Sequence, residues 1–193
     1  MPIKHETGGD LSNSGKWIEQ EGWYHFGVIA ATETPTKRDG SIIAGALGKI
    51  DVEALESTAK SEIGKGMDIT LWPPEARHKD GGDFARKCLD RYWLALNLAT
   101  RQQLEAKGTA LEIDLAKARG AQFIAKLVKS SDGKFMQVDG ANIFHVDDPA
   151  VKDQPKNVKA LAIIPPAHRW AGEQSKPASE PAPPAGRPAL SDL

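Results

Sequence analysis

His145, Asp147 and Asp148 bring an imidazole and two carboxylates together in IFHVDDP, just before Pro149. Those are metal ligands by type, and a metal-dependent enzyme using them is one reading of the chain. On an extended strand residues 145 and 147 share a face and 148 turns away, so only two converge. Zinc sites want three or four ligands. His5, His25, His78 and His168 fall elsewhere: in a polar lead, an aromatic strand, a loop and a tail. The competing reading is that Asp147-Asp148-Pro149 ends a strand, with the carboxylates bonding nearby backbone amides. No metal or other cofactor is expected. No GxxxxGK phosphate loop, no G-x-S-x-G elbow and no Cys–His pair in a motif context occurs, so nothing argues for catalysis.

The second kind of chemistry is phosphate and base contact by cations and rings. Lys126, Lys129, Lys134 and Phe135 cluster around SSDG, and Lys37 and Arg38 sit in ETPTKRDGSIIAGALG. Lys65 and Trp72 bracket GMDITL. Single-strand binders combine cations that track phosphates with aromatic faces that stack bases, each base worth ~1–3 kcal/mol. Against this, lysine near a turn is ordinary solvation, and Trp72 and Phe135 are ordinary core residues by type.

Which elements would hold these residues follows from periodicity. EGWYHFGVIAAT alternates, with Tyr24, Phe26, Val28 and Ala30 on one face, and predicts a strand. The stretch after it, with Pro35 and Gly40, is a loop. KIDVEALEST alternates through Ile50, Val52 and Leu55, and GKGMDITLWPP gives a short strand that Pro73-Pro74 stops. The period then changes to 3.6. In DGGDFARKCLDRYWLALNLAT, Phe84, Cys88, Leu89, Trp93, Leu96 and Leu98 make an apolar stripe, and Asp83 is placed to cap it. A second short helical stretch ends at LEIDLAKARG, with Gly120 as its stop. AQFIAKLVK and KFMQVDGANIFHV follow as two strands joined across SSDG, where Asp-Gly between alternating runs signals a hairpin.

Strand, strand, strand, helix, strand, strand is the order of the OB-fold, a five-stranded, partly open Greek-key barrel with its helix between strands three and four. The expected class is therefore mainly β and OB-like. The usual ligand surface of that fold is the face of strands two and three, flanked by the first hairpin loop and the last. Lys37, Arg38, Lys65, Trp72, Lys126, Lys129, Lys134 and Phe135 then become the expected nucleic-acid contacts.

Composition sets the outer bounds. A chain of 193 residues with 40% hydrophobic and 26% charged residues suits one ordinary globular domain. A formal net charge of −1 lacks the basic surplus common in nucleic-acid binders, so the position of each cation must carry that reading. The single cysteine, Cys88, forbids an internal disulfide and fits a reducing compartment. No run approaches the ~20 apolar residues of a membrane span. Residues 1–15 read as a disordered lead, 16–164 as the folded domain, and 165–193, rich in Pro and Ala, as a disordered tail.

EGWYHFGVIAAT, the helix ending NLAT, the DLAKARGAQFIAKLV join and IFHVDDP together resemble a family of tailed-bacteriophage and prophage proteins. These are described as domains of unknown function or as single-stranded-DNA-binding proteins encoded among recombination and replication genes. The resemblance spans Glu21 to Asp153. It implies an OB-like binder of single-stranded DNA in the bacterial host cytoplasm, acting with a recombinase, nuclease or helicase. Many such binders end in an acidic tip, whereas this chain ends RPALSDL. A protein-interaction adaptor without nucleic acid is the alternative.

Overall fold

The computed structural model describes residues 17–37, 40–74, 82–106 and 110–170. The expected lead, and all of the expected tail beyond Trp170, lie outside the described residues. Five strands form one antiparallel, curled half-barrel sheet: β1 (Gly22–Thr32), β2 (Gly48–Ser57), β3 (Gly66–Leu71), β4 (Gln122–Lys129) and β5 (Met136–His145). Their order is β3-β2-β1-β4-β5, which leaves β3 and β5 as the two edges. Helix α1 (Asp83–Ala95) follows β3, and the short α2 (Arg101–Glu105) and α3 (Val158–Ala162) follow α1 and β5.

Alternation builds the inside of the curl. Ile50, Val52 and Ala54 of β2, Met67, Ile69 and Leu71 of β3, and Phe123, Ala125 and Leu127 of β4 all face one core with Tyr24 and Phe26. The rings of Tyr24, Phe26 and Phe123 follow one another at 5.4 and 5.3 Å. Trp93, Leu96 and Ala99, from α1 and the turn after it, close the same core.

The alternation expected of β1 breaks after Val28. The pairing with β2 skips Ile29, which is exposed, so Ala30 turns outward and Ala31 packs against the core. One inserted residue exchanges the faces of everything that follows it. A second irregularity opposes His25 and Phe26 to Glu56 and Ala54, which turns Leu55 to the outer side, against Gly27.

At α1 the N-cap is Gly82, not Asp83, and no side chain caps it; Asp83 is the first helical residue. Phe84, expected in the apolar stripe, is 56% exposed because the first turn overhangs the sheet edge. The second helical stretch divides in two. Thr100 and Gln103 form a capping box that starts α2, and a separate 3-10 turn covers Leu115–Ala118. Gly120 ends that turn at φ +86°, a left-handed conformation that glycine adopts without strain.

The β4–β5 connection is six residues, Ser130 to Phe135, longer than the four expected. Ser130 organises it: its N–H donates to the Phe135 carbonyl at 2.8 Å, and its Oγ donates to Asp132 Oδ1 at 2.6 Å. Farther along, one residue of β4, Lys126, stands opposite four of β5, Asp139 to Asn142. This bulge pushes Gly140 out to α1, where Arg91 donates to its carbonyl at 2.8 Å.

A second, smaller core covers the outside of the sheet. Ile124, Val146, Val151 and Ile164 are buried there with Trp23, Phe144 and Leu161. The chain beyond β5 supplies most of it and lies across β1 and β4 as a strap running to Trp170.

Candidate functional site

The edges of the curled sheet line a single groove. Met67 to Pro73 form one wall, Phe135 to Gly140 the other, and Phe84, Cys88, Leu89 and Tyr92 of α1 close one side. Its volume is about 510 Å³. Three of its rings are open to solvent to differing degrees: Phe135 is 61% and Phe84 56% exposed, and Trp72 is half-buried. Exposing two large rings in one concavity forgoes burial worth ~1.5–3 kcal/mol for each, and such patches mark interaction sites.

Gly140 sets the groove's width. A Cβ there would collide with the Cys88 sulfur, so only glycine lets α1 approach this closely. Cys88 is half-buried at this contact, in keeping with its expected packing role.

The expected contact residues do not all come together. Trp72 and Phe135, 63 positions apart in sequence, meet in the groove. Lys129 and Lys134 stand exposed on the hairpin beside Phe135, Lys134 with only a loose 4.0 Å pairing to Asp132. Lys126 is half-buried on β4 near Asp139. Lys37 is exposed in the β1–β2 loop, which leaves β1 at Thr32, whereas the hairpin lies beyond the Gly22–Leu127 pair at the other end. A ligand touching both must therefore run the length of β1. Arg38 lies outside the described residues. Lys65 is committed elsewhere: its Nζ is 2.8 Å from the buried Glu62 and 4.0 Å from Glu19.

The outward face of β2 and β3 is acidic. Lys49, Asp51, Glu53 and Asp68 line it, and Asp51 pairs across the strands with Asp68. Lys49 bridges them at 3.0 and 3.5 Å. Burial, the pull of Lys49 and the facing Asp51 act together on Asp68, and the net effect holds its carboxyl above the usual range. Phosphates have no welcome on this face, so the aromatic groove and the lysine hairpin are the better candidate. Phe84 and Asp68 are groove residues that sequence reasoning missed. A phenylalanine in helical register carries no sign that its turn hangs past the sheet edge.

The His145 cluster is a strand terminus. Its Nε2 lies 2.9 Å from the His168 carbonyl and so donates, and its Nδ1 accepts from the Asp147 N–H at 3.1 Å. Asp148 accepts from the Ala150 N–H at 2.8 Å, and Asp147 faces Arg169 at 3.6 Å. Among the described residues no three His, Cys, Asp or Glu side chains are grouped to hold a metal, and no helix is long and apolar enough to cross a membrane. Comparison with protein-family models, with curated proteins and with solved structures gives no match to this chain.

Proposed function

We propose that this protein binds single-stranded DNA without catalysing a reaction, in phage replication or recombination. The observation that carries the reading is the convergence of Trp72, Phe84 and Phe135 in one open groove next to the Lys129–Lys134 hairpin. Bases stack on such rings while lysines follow the backbone. The sheet order, with edges at β3 and β5 and α1 between β3 and β4 in the chain, supports an OB-like, partly open Greek-key barrel. The sequence resemblance supports the phage setting, with replication or recombination enzymes as partners of the segment beyond Trp170.

The test is a titration of a labelled 15-mer, single-stranded and duplex, at several salt concentrations. Single strands should bind more tightly, and log K should fall linearly with log salt, by ~0.7 per phosphate contacted. No binding at low salt, or affinity indifferent to salt, overturns the reading. The acidic β2–β3 face and the net charge of −1 favour a second reading, a protein-interaction adaptor, which expects no oligonucleotide binding under any condition.

A further inference from the structure

The groove has a charge that its proposed ligand must answer. Among the described residues lining it, the only carboxylates are Asp68 and Asp139, and none is a lysine or arginine. A phosphate inside would meet Asp68 and Asp139, and the cation beside Asp68, Lys49, is already shared between Asp51 and Asp68. On the single-strand-binding reading, then, the backbone stays outside along Lys129 and Lys134, and what enters is a base.

The two carboxylates are not equivalent. Asp139 is occupied within its bulge: Oδ1 accepts from the Ala141 N–H at 3.0 Å and Oδ2 from Asn142 Nδ2 at 2.7 Å. Asp68 meets Lys49 at 3.5 Å through Oδ2 and keeps 42% of its side chain exposed at the groove wall. The backbone beside it is also turned outward. Ala54 donates to the Lys65 carbonyl at 2.9 Å, so residues 65, 67, 69 and 71 bond to β2, and Asp68 and Thr70 direct their N–H and C=O to the open edge. Gly66 follows the same rule, its carbonyl accepting from the Ile18 N–H on the outer side.

Such a wall prefers a base rich in N–H donors. Guanine presents N1–H and N2–H side by side, which match the two oxygens of one carboxylate. Its O6, adjacent to them, can accept from an edge backbone N–H. Thymine presents a single N3–H between two carbonyl oxygens, which a carboxylate repels. Cytosine and adenine each present one amino group. We infer that the groove between β3, α1 and β5 is a base pocket that favours guanine over thymine, with Asp68 as the residue that sets the preference and Phe84, Trp72 and Phe135 as the stacking surfaces.

The experiment compares 15-mers of thymine alone with 15-mers carrying guanine, adenine or cytosine at every third position. Wild type and Asp68→Asn are titrated at one salt concentration. Wild type should bind the guanine oligonucleotide ~10-fold or more tightly than thymine alone, with adenine and cytosine between. Asp68→Asn should erase that order, weakening the guanine oligonucleotide relative to thymine alone and leaving thymine bound at least as tightly as by wild type, since a repulsive charge is removed while stacking and phosphate contacts remain. Phe135→Ala should weaken all four alike. Equal binding of all four by wild type overturns the pocket and leaves single-strand binding intact, a result that needs no variant to fold. A guanine preference retained by Asp68→Asn overturns the role of Asp68. Absence of binding to any of the four overturns the single-strand reading and the pocket with it.

Discussion

His25 and His145 use the same device in different places. Asn157 donates its N–H to His25 Nδ1 at 3.0 Å, and Gln122, whose Nε2 is spent on the Ala160 carbonyl, leaves Oε1 to accept from His25 Nε2 at 2.9 Å. His145 likewise accepts a backbone N–H at Nδ1 and donates from Nε2 to a carbonyl. Each ring is therefore held neutral in one tautomer, and a proton on Nδ1 would displace the hydrogen bond that a backbone N–H donates there. Burial is the main cause that pushes His25 down from 6.5 to about 4, and it lowers His145 in the same direction. With the folded value depressed, the unfolded chain binds more protons between those limits. Stability is therefore fully present above about pH 6.5 and is lost as pH falls through 4, by about 3 kcal/mol for His25 alone. Urea denaturation at pH 7, 5.5 and 4.5 should show this loss. His25→Leu should flatten its part of the slope, and an unchanged slope in that variant would exclude His25 as its source. The sequence put His25 in an aromatic strand but could not show its partners, which lie 97 and 132 positions away.

At the scale of elements, what could be seen in advance were the periods, and what could not were the departures from them. β3 and the stretch of β2 paired with it, Gly48 to Glu53, alternate cleanly because each residue there has one partner. Their inward residues were readable from type, whereas Leu55, expected with Ile50 and Val52, is turned outward by the irregularity beside it. The bulges in β1 and β5 are properties of pairing, visible only when both strands are present. The bulge at Asp139–Asn142 decides where α1 sits, since it presents Gly140 to Cys88 and its carbonyl to Arg91. Gly140→Ala should therefore cost ~1–3 kcal/mol by overpacking. Adding Cys88→Ala removes the sulfur in the way. The double variant should recover stability relative to Gly140→Ala, a favourable coupling between the two sites. Simple additivity of the two losses in a denaturation cycle would show that α1 does not rest on this contact. The same logic explains why periodicity alone could nominate Trp72 and Phe135 only separately, and why the assumed OB order was needed to group them. Their common groove arises from the curl that brings β3 and β5 to one concavity, which neither strand encodes alone.

Over the whole molecule, the sheet is finished by a segment that composition assigned to a tail. Proline-rich sequence beginning at Pro165 offers little to bury, and the domain was expected to end at Ile164. The strap nevertheless continues to Trp170, through backbone groups that composition does not reveal. Asn97, in the left-handed conformation at φ +55° just past α1, donates its Nδ2 to the carbonyls of Ala167 and Arg169 at 2.8 and 2.9 Å. His145 donates to the His168 carbonyl and stacks on Trp170 at 5.9 Å, and Arg169 donates to the Leu161 carbonyl at 2.7 Å. These six residues thus tie the end of α1, the end of β5 and α3 to one another. Two truncations separate this from anything farther along the chain: one ending at Trp170 and one ending at Ile164. Both keep Ile164 and the outer core. The shorter protein loses the acceptors of Asn97 and His145, whose donors become partly buried without partners. Its thermal midpoint should fall below that of the longer truncation by about 5–10 °C, as expected for a loss of ~2–3 kcal/mol in a domain of this size. Equal midpoints would mean that residues 165–170 rest on the domain without stabilising it. The loss should also appear in single-strand affinity only to the extent that the fold is lost, because the groove lies at the opposite end of β5 from His145.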